Sequence, residues 1–152
     1  MNVDQMIAML EEWFGKLPAL PANVREVLVK IAPWFALIFG VLGILGGLMG
    51  LMALLGASAM VASMGVPMAM DPSLGYYSVL GIVALVIGLV SSALMLLAYP
   101  GLKAGKMAGW RYLFYSEVVS LLASVVTLNL VGLVIGALIG FYLLFQIKSH
   151  YK

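Results

Sequence analysis

The chain has 152 residues, of which 64% are hydrophobic and only 9% are charged, and its net charge is +2. Soluble domains carry about 25% charged residues, so this composition predicts an integral membrane protein and excludes an ordinary soluble one. The small net charge argues against a nucleic-acid partner. The sequence has no cysteine, which excludes disulfides, thiolate metal sites and a cysteine nucleophile.

Residues 2–16 have the spacing of an amphipathic helix, with Asn2 and Gln5 as a candidate capping box and Gly15 at the end. Its polar face is acidic, so anionic lipid would not attract it. Two alternatives stay open: the helix lies at the membrane interface, or it packs on a partner helix of the same or another protomer. We therefore divide the chain into an N-terminal unit, 1–22, and a membrane domain, 23–152.

Four apolar segments of the membrane domain are long enough to cross a hydrocarbon core, so we predict an all-α membrane protein with four transmembrane helices. We expect Asn23 to start the helix before the first span, Pro33 to kink it, and Pro100 with Gly101 to end the second. We expect Asn129 to cap the last helix. The four predicted spans are 34–55, 76–99, 110–128 and 130–147.

The charges predict the orientation of these spans. If the loop 100–111 is cytoplasmic, every Lys and Arg lies on the cytoplasmic side and only Asp71 lies on the other. We therefore predict a protein of the cell membrane with both termini in the cytoplasm. The outer halves of the spans are rich in Gly, Ala and Ser, so we expect tight packing at the outer end and a broader cytoplasmic end.

Glycines recur at helical spacing in three of the spans, and small residues allow membrane helices to approach closely. These glycines are Gly40, Gly43, Gly47 and Gly50, then Gly81 and Gly88, then Gly132, Gly136 and Gly140. If the chain folds back at 128–129, Glu117 faces Gly140, and Ser120 and Ser124 face the two preceding glycines. We expect all of these glycines to be helix-packing positions.

Glu117 is the only carboxylate within a predicted span, and an ionised carboxylate there costs about 3 kcal/mol on insertion. Ser120 and Ser124 share its helix face. Arg111 points elsewhere, and Lys148 lies beyond the end of the facing helix. With no cationic partner, we expect Glu117 to hold its proton near neutral pH. It is either a structural polar contact in a tight hairpin or a proton or cation site.

The segment between the first two spans contains four methionines next to Asp71: Met60, Met64, Met68 and Met70. Thioethers suit Cu(I), but methionine also fills irregular apolar gaps. Because no Cys or His lies nearby, we expect packing residues and predict neither a metal site nor another cofactor.

The sequence shows no pattern typical of a nucleophile–base pair, a phosphate-binding loop or a zinc protease, so we do not expect an enzyme. We favour a structural or accessory subunit, whose glycines assemble it with itself or with another membrane protein in the bilayer. The alternative is a small oligomeric transporter or channel that uses Glu117.

Overall fold

In a computed structural model of the chain, the structure describes residues 2–63 and 72–152, and no strand occurs in these ranges. The elements are α1 (Val3–Phe14), α2 (Ala22–Ser63), α3 (Pro72–Lys103), α4 (Met107–Val126), α5 (Leu130–Ile135), a π-helical segment (Gly136–Gly140) and α6 (Phe141–Lys148). The last three elements follow one another without a break, and we call them together the C-terminal helix.

Within the described ranges, three helices are long and apolar enough to cross a membrane: Ala22–Gly56, Val79–Lys103 and Leu130–Lys148. Their lengths are 35, 25 and 19 residues. Helix α4 has 20 residues but is not among the three, because Arg111, Glu117 and three serines lower its hydropathy. The protein is therefore all-helical, with three candidate membrane helices and one less apolar helix between them.

Two predicted helix starts are confirmed by their hydrogen bonds. The backbone N–H of Asn2 donates to Gln5 Oε1 at 3.0 Å at the start of α1. The side-chain oxygen of Asn129 accepts from the backbone N–H of Gly132 at 2.9 Å. The turn before Asn129 places Leu128 at a φ of 53°, a left-handed conformation that leucine rarely adopts. A turn this tight keeps α4 and the C-terminal helix antiparallel neighbours.

Two predicted helix boundaries are wrong. Helix α2 begins at Ala22, one residue before Asn23. Helix α3 passes Pro100 and ends at Lys103. Pro33 lies inside α2, which continues on both sides of it. Proline is tolerated inside long apolar helices, because the neighbouring elements hold the helix together despite one lost hydrogen bond. Pro33 itself is buried, so tertiary packing outweighs its local preference.

Helix α3 packs between α2 and α4, and the C-terminal helix packs on α4 and, through α6, on α2. One end of this arrangement, which we call the basic end, holds α1, the loop between α3 and α4, and the C-terminus. There the backbone N–H of Met107 donates to the carbonyl of Lys152 at 2.8 Å, and that of Lys152 donates to Gly105 at 3.0 Å. The tail is thereby attached to the loop.

Among the described residues, the buried apolar core lies at the basic end. The expectation of tighter packing at the opposite end stays a prediction. Phe114 is fully buried and its ring contacts Trp110, Phe141 and Phe145. The indole N–H of Trp110 donates to the carbonyl of Leu144 at 2.8 Å. Large aromatic side chains supply the area that is buried here, whereas glycine and alanine supply little at the other end.

Helix α1 packs on α6 of its own chain. Ile7 is buried, and the ring of Phe14 stacks on Phe145 with 5.8 Å between centroids. Two ion pairs attach the acidic face of α1: Asp4 with Arg111 at 3.2 Å, and Glu11 with Lys148. The side chain of Trp13 is 71% exposed. Of the two alternatives for this helix, the structure shows packing on the same chain.

Candidate functional site

Helices α2 and α3 meet along the glycines of α2, a surface that we call the α2–α3 contact. A methyl group built on Gly47 would lie 2.6 Å from a Leu89 methyl, and one on Gly50 would lie 2.9 Å from Leu85. Gly40 faces Leu96 in the same way, and Gly43 faces Ser92. Helix α3 of the same chain therefore packs directly against these four glycines.

The remaining predicted glycines differ in their surroundings. A methyl group on Gly81 would lie 3.2 Å from Leu54, whereas one on Gly88 would meet nothing within 4 Å. At Gly132 the nearest atoms belong to its own capping residue, Asn129, and not to Ser124. Among the described residues, no side chain therefore packs against Gly88, and the nearest neighbour of Gly132 is the cap of its own helix.

The carboxylate of Glu117 lies directly against Gly140, as the predicted hairpin register requires, and a methyl group on Gly140 would overlap it. A methyl group on Gly136 would lie 3.6 Å from Glu117 Oε1 and 3.3 Å from Leu121. Ser120, which we expected opposite Gly136, does not occupy that position. Gly136 and Gly140 are the two ends of the π-helical segment, a local distortion that is frequent at functional sites.

Among the described residues, Glu117 has no hydrogen-bond or ion-pair partner. The two cations nearest to it in the predicted hairpin are engaged elsewhere. Arg111 binds Asp4, while Lys148 binds Glu11 and lies 5.5 Å from the centroid of the Trp110 ring. The negative charge that Glu117 can carry is therefore not balanced by these side chains.

Two cavities meet at Glu117. The first, of about 270 Å³, is almost wholly apolar and lies between α2, α4 and α6; Phe35, Leu113 and Leu144 are among its lining residues. The second, of about 280 Å³, lies between α2, α3 and α4. Four serines line it: Ser91, Ser92, Ser116 and Ser120. Glu117 thus lies between an apolar cavity and a cavity that is lined in part by serine side chains.

Three of these serine hydroxyls already donate their protons to backbone carbonyls. Ser91 donates to the carbonyl of Ser116 at 2.8 Å, and Ser92 donates to that of Gly88 at 2.8 Å. Ser116 donates to the carbonyl of Leu113 at 2.7 Å. A carbonyl can only accept, so these three hydroxyls have only oxygen lone pairs left. These serines and the Glu117 carboxylate line one cavity, and the hydrogen-bond acceptors that they offer suit a proton, a cation or a strong donor.

The sequence analysis identified Glu117 but not the three buried serines as a group. Ser116 lies one turn before Ser120 on the same side of α4, so the spacing of Ser116, Ser120 and Ser124 was one signal. Ser91 and Ser92 come from a different helix. Two adjacent serines inside an otherwise apolar span were the other signal. Ser124 lies one turn farther on, where its hydroxyl is 3.4 Å from the carbonyl of Ser120.

In the part of the chain that the structure describes, no three His, Asp or Glu side chains lie close enough together to hold a metal ion. The predicted methionine cluster lies mostly outside that part. Met60 is described and is 61% exposed, but Met64, Met68, Met70 and Asp71 fall outside the described residues. The copper alternative is therefore not tested.

Fold and site together define an all-helical protein with three helices of membrane-spanning length and one unpaired carboxylate between two cavities. Comparison of the chain with protein-family models, with curated proteins and with solved structures gave no significant match. The function is therefore argued from the site.

Proposed function

We propose that the protein crosses the membrane four times, with α4 as the additional span and both termini in the cytoplasm. Helix α4 ends three residues before Asn129 caps the C-terminal helix, so the two helices enter the membrane most simply as one hairpin. In this arrangement buried Ser116 and half-buried Glu117 of α4 face protein and not lipid. All lysines and arginines then lie on the cytoplasmic side of the cell membrane.

Single cysteines at Ser73 and Lys103 test this topology. We expect an impermeant thiol reagent to label Ser73→Cys from outside and Lys103→Cys only from the cytoplasm. A cysteine at Leu128, in the short turn of the hairpin, should be labelled from outside as well. Labelling of Ser73→Cys and Lys103→Cys from the same side would contradict the four-span arrangement.

We propose further that the protein binds and carries a cation at Glu117, in exchange for a proton. The observation that supports this is the unpaired carboxylate beside hydroxyls that can only accept hydrogen bonds. The four glycines of the α2–α3 contact, which are among those that the subunit hypothesis assigns to assembly, pack against α3 of the same chain. These contacts favour the carrier over the accessory subunit.

The two cavities indicate which cations suit this site. A charge without a partner is costly in an apolar surrounding, but a carboxylate with one proton or one monovalent cation is neutral overall. The apolar cavity, with Phe35 and Phe39, can hold an apolar body, and cations are attracted to aromatic faces. We therefore propose a monovalent cation with an apolar body, such as a lipophilic amine. A carrier of this kind catalyses no covalent reaction.

Tetraphenylphosphonium, a lipophilic cation, is a suitable probe for this proposal. We expect saturable binding to the purified chain in lipid nanodiscs, and weaker binding at lower pH because protons compete for the same carboxylate. Glu117→Gln should abolish binding while the variant remains folded. Glu12→Gln, at an exposed carboxylate on α1, is the matched control and should bind as the parent does. Equal binding by Glu117→Gln and the parent would contradict the proposal.

A second candidate is the subunit that assembles with itself or with another membrane protein. The observation in its favour is an open groove of about 410 Å³ along α2 and α3, lined by small residues including Gly46, Ala84 and Gly88. Nothing lies within 4 Å of a methyl group on Gly46 or Gly88, so another helix can approach closely there.

Crosslinking in native membranes tests this second candidate. Leucine at Gly88 should block the groove and reduce association with a second copy or another membrane protein. Leucine at Gly56, which is equally free of neighbours but outside the groove, should not. The same crosslinked species in both variants would show that the groove is not an interface.

A further inference from the structure

A third cleft lies at the basic end, between α2 and α3, and it shares no lining residue with the two cavities at Glu117. Its volume is about 270 Å³. Helix α2 contributes Lys30 and Trp34, and helix α3 contributes Tyr99 and Lys103. Buried Pro33 and Leu102 also line it. Two lysines and two aromatic rings from different helices therefore surround one small space.

Neither lysine of this cleft has a carboxylate partner among the described residues. The ion pairs of the described residues involve Lys16, Arg111 and Lys148, none of which lines the cleft. Glu26 lies one turn before Lys30 on α2 but makes no ion pair with it. Lys103 instead lies over the ring of Tyr99, with Nζ 5.8 Å from the centroid. The cleft thus holds two positive charges and no neutralising group from the described part of the chain.

The position of the cleft corresponds to the membrane–water interface. Both α2 and α3 are long and apolar enough to span, and the cleft lies where their basic ends leave the apolar segment. Trp34 and Tyr99 are in edge-to-face contact at 6.4 Å, and tryptophan and tyrosine are typical of the headgroup level. Lys30 is one turn from Trp34, about 6 Å along the helix axis. Exposed apolar side chains, among them Ile38 and Leu97, continue from this level along both helices.

We propose that this cleft binds the phosphate headgroup of an anionic phospholipid. Lys30 and Lys103 would contact the phosphate, and the acyl chains would lie along the exposed apolar faces of α2 and α3. Basic pockets between membrane helices on the cytoplasmic side commonly bind such headgroups. The proposal depends on α2 and α3 being membrane spans, but it is independent of any role of Glu117.

Native mass spectrometry of the purified full-length chain tests this proposal with two lipids that have the same acyl chains, phosphatidylglycerol and phosphatidylcholine. We expect phosphatidylglycerol to bind preferentially. Each lysine replaced by glutamine should weaken that binding about fivefold, and the double variant Lys30→Gln with Lys103→Gln should bind both lipids equally. Circular dichroism of the variants checks that they are folded.

The matched control is the double variant Lys106→Gln with Lys152→Gln, which removes the same charge at exposed positions outside the cleft. It should keep the preference for phosphatidylglycerol. Equal binding of the two lipids by the parent, or equal loss of preference in both double variants, would overturn the proposal. Displacement of the lipid by millimolar inorganic phosphate would also overturn it, since the cleft would then recognise free phosphate and not a lipid.

Discussion

Two helix contacts in this protein use glycine for different purposes. In the α2–α3 contact, leucine side chains of α3 pack against three of the four glycines of α2, and the surfaces fit closely. In the contact between α4 and the C-terminal helix, the carboxylate of Glu117 packs against Gly140. The first contact removes apolar surface from its surroundings, whereas the second places a polar group between two cavities.

The difference shows that spacing alone does not define what a row of glycines does. Both rows have the small residues at helical intervals that permit close packing. The group that faces the row decides the outcome: a leucine gives dispersion contacts, and a carboxylate gives a site that needs a counter-charge or a proton. Variants that fill one glycine in each contact should therefore affect different properties.

The largest change in stability should follow a large side chain in the α2–α3 contact. Gly40→Leu places new atoms where a methyl group alone would lie 2.7 Å from Leu96 and 3.1 Å from the backbone oxygen of Ser92. We expect the free energy of unfolding in mixed micelles to fall by about 1–3 kcal/mol. Gly46→Leu, at a position with nothing within 4 Å, is the control and should leave it unchanged. If both variants had the same free energy of unfolding, α2 and α3 would not pack along this face.

In the second contact, filling a glycine should change binding more than stability. Gly140→Ala displaces the Glu117 carboxylate, so we expect tetraphenylphosphonium to bind at least about tenfold more weakly, as for a lost charged contact. Gly136→Ala adds the same methyl group 3.3 Å from a Leu121 methyl and 3.6 Å from Glu117 Oε1, so only Leu121 has to shift slightly, and this variant should bind as the parent does. Calorimetry in nanodiscs measures both. If the two variants bound equally, the position of the carboxylate against Gly140 would not matter for the site.

Removal of the hydrogen bond that joins α3 to α4 beside the second contact should have a smaller effect on stability. Ser91→Ala removes the hydroxyl that donates to the carbonyl of Ser116, and the free energy of unfolding should fall by about 1 kcal/mol. Ser120 lines the same cavity but donates no hydrogen bond, so Ser120→Ala should leave stability within error of the parent. A larger loss of stability in Ser120→Ala than in Ser91→Ala would show that the hydrogen bond from Ser91 is not formed.

The sequence predicts the parts of this protein that depend on local pattern. Helical segments, the cap at Asn129 and the position of Glu117 opposite Gly140 all follow from spacing and turn residues. The lack of a cationic partner for Glu117 also follows, because so few charges are available. These features need no knowledge of how distant helices are arranged.

Features that depend on contacts between distant segments could not be predicted in this way. Gly101 and Gly109 are an example: a methyl group on Gly101 would lie 2.6 Å from the backbone of Gly109, where α3 and α4 cross. Gly101, Gly105 and Gly109 recur every four residues, but this interval crosses the loop between the two helices, so helical spacing does not identify the contact. The same holds for the core at the basic end and for the serines of α3 beside Glu117, since pairing of whole helices brings them together.

Exchange of a proton for a cation at Glu117 can be measured by calorimetric titration of tetraphenylphosphonium into the protein in nanodiscs, repeated in buffers with different ionisation enthalpies. Because we propose that the cation replaces a proton on this carboxyl group, we expect binding to release up to one proton for each cation bound. Glu117→Gln should show neither binding nor proton release. Binding by the parent with no proton release, and with equal affinity in Glu117→Gln, would contradict this exchange.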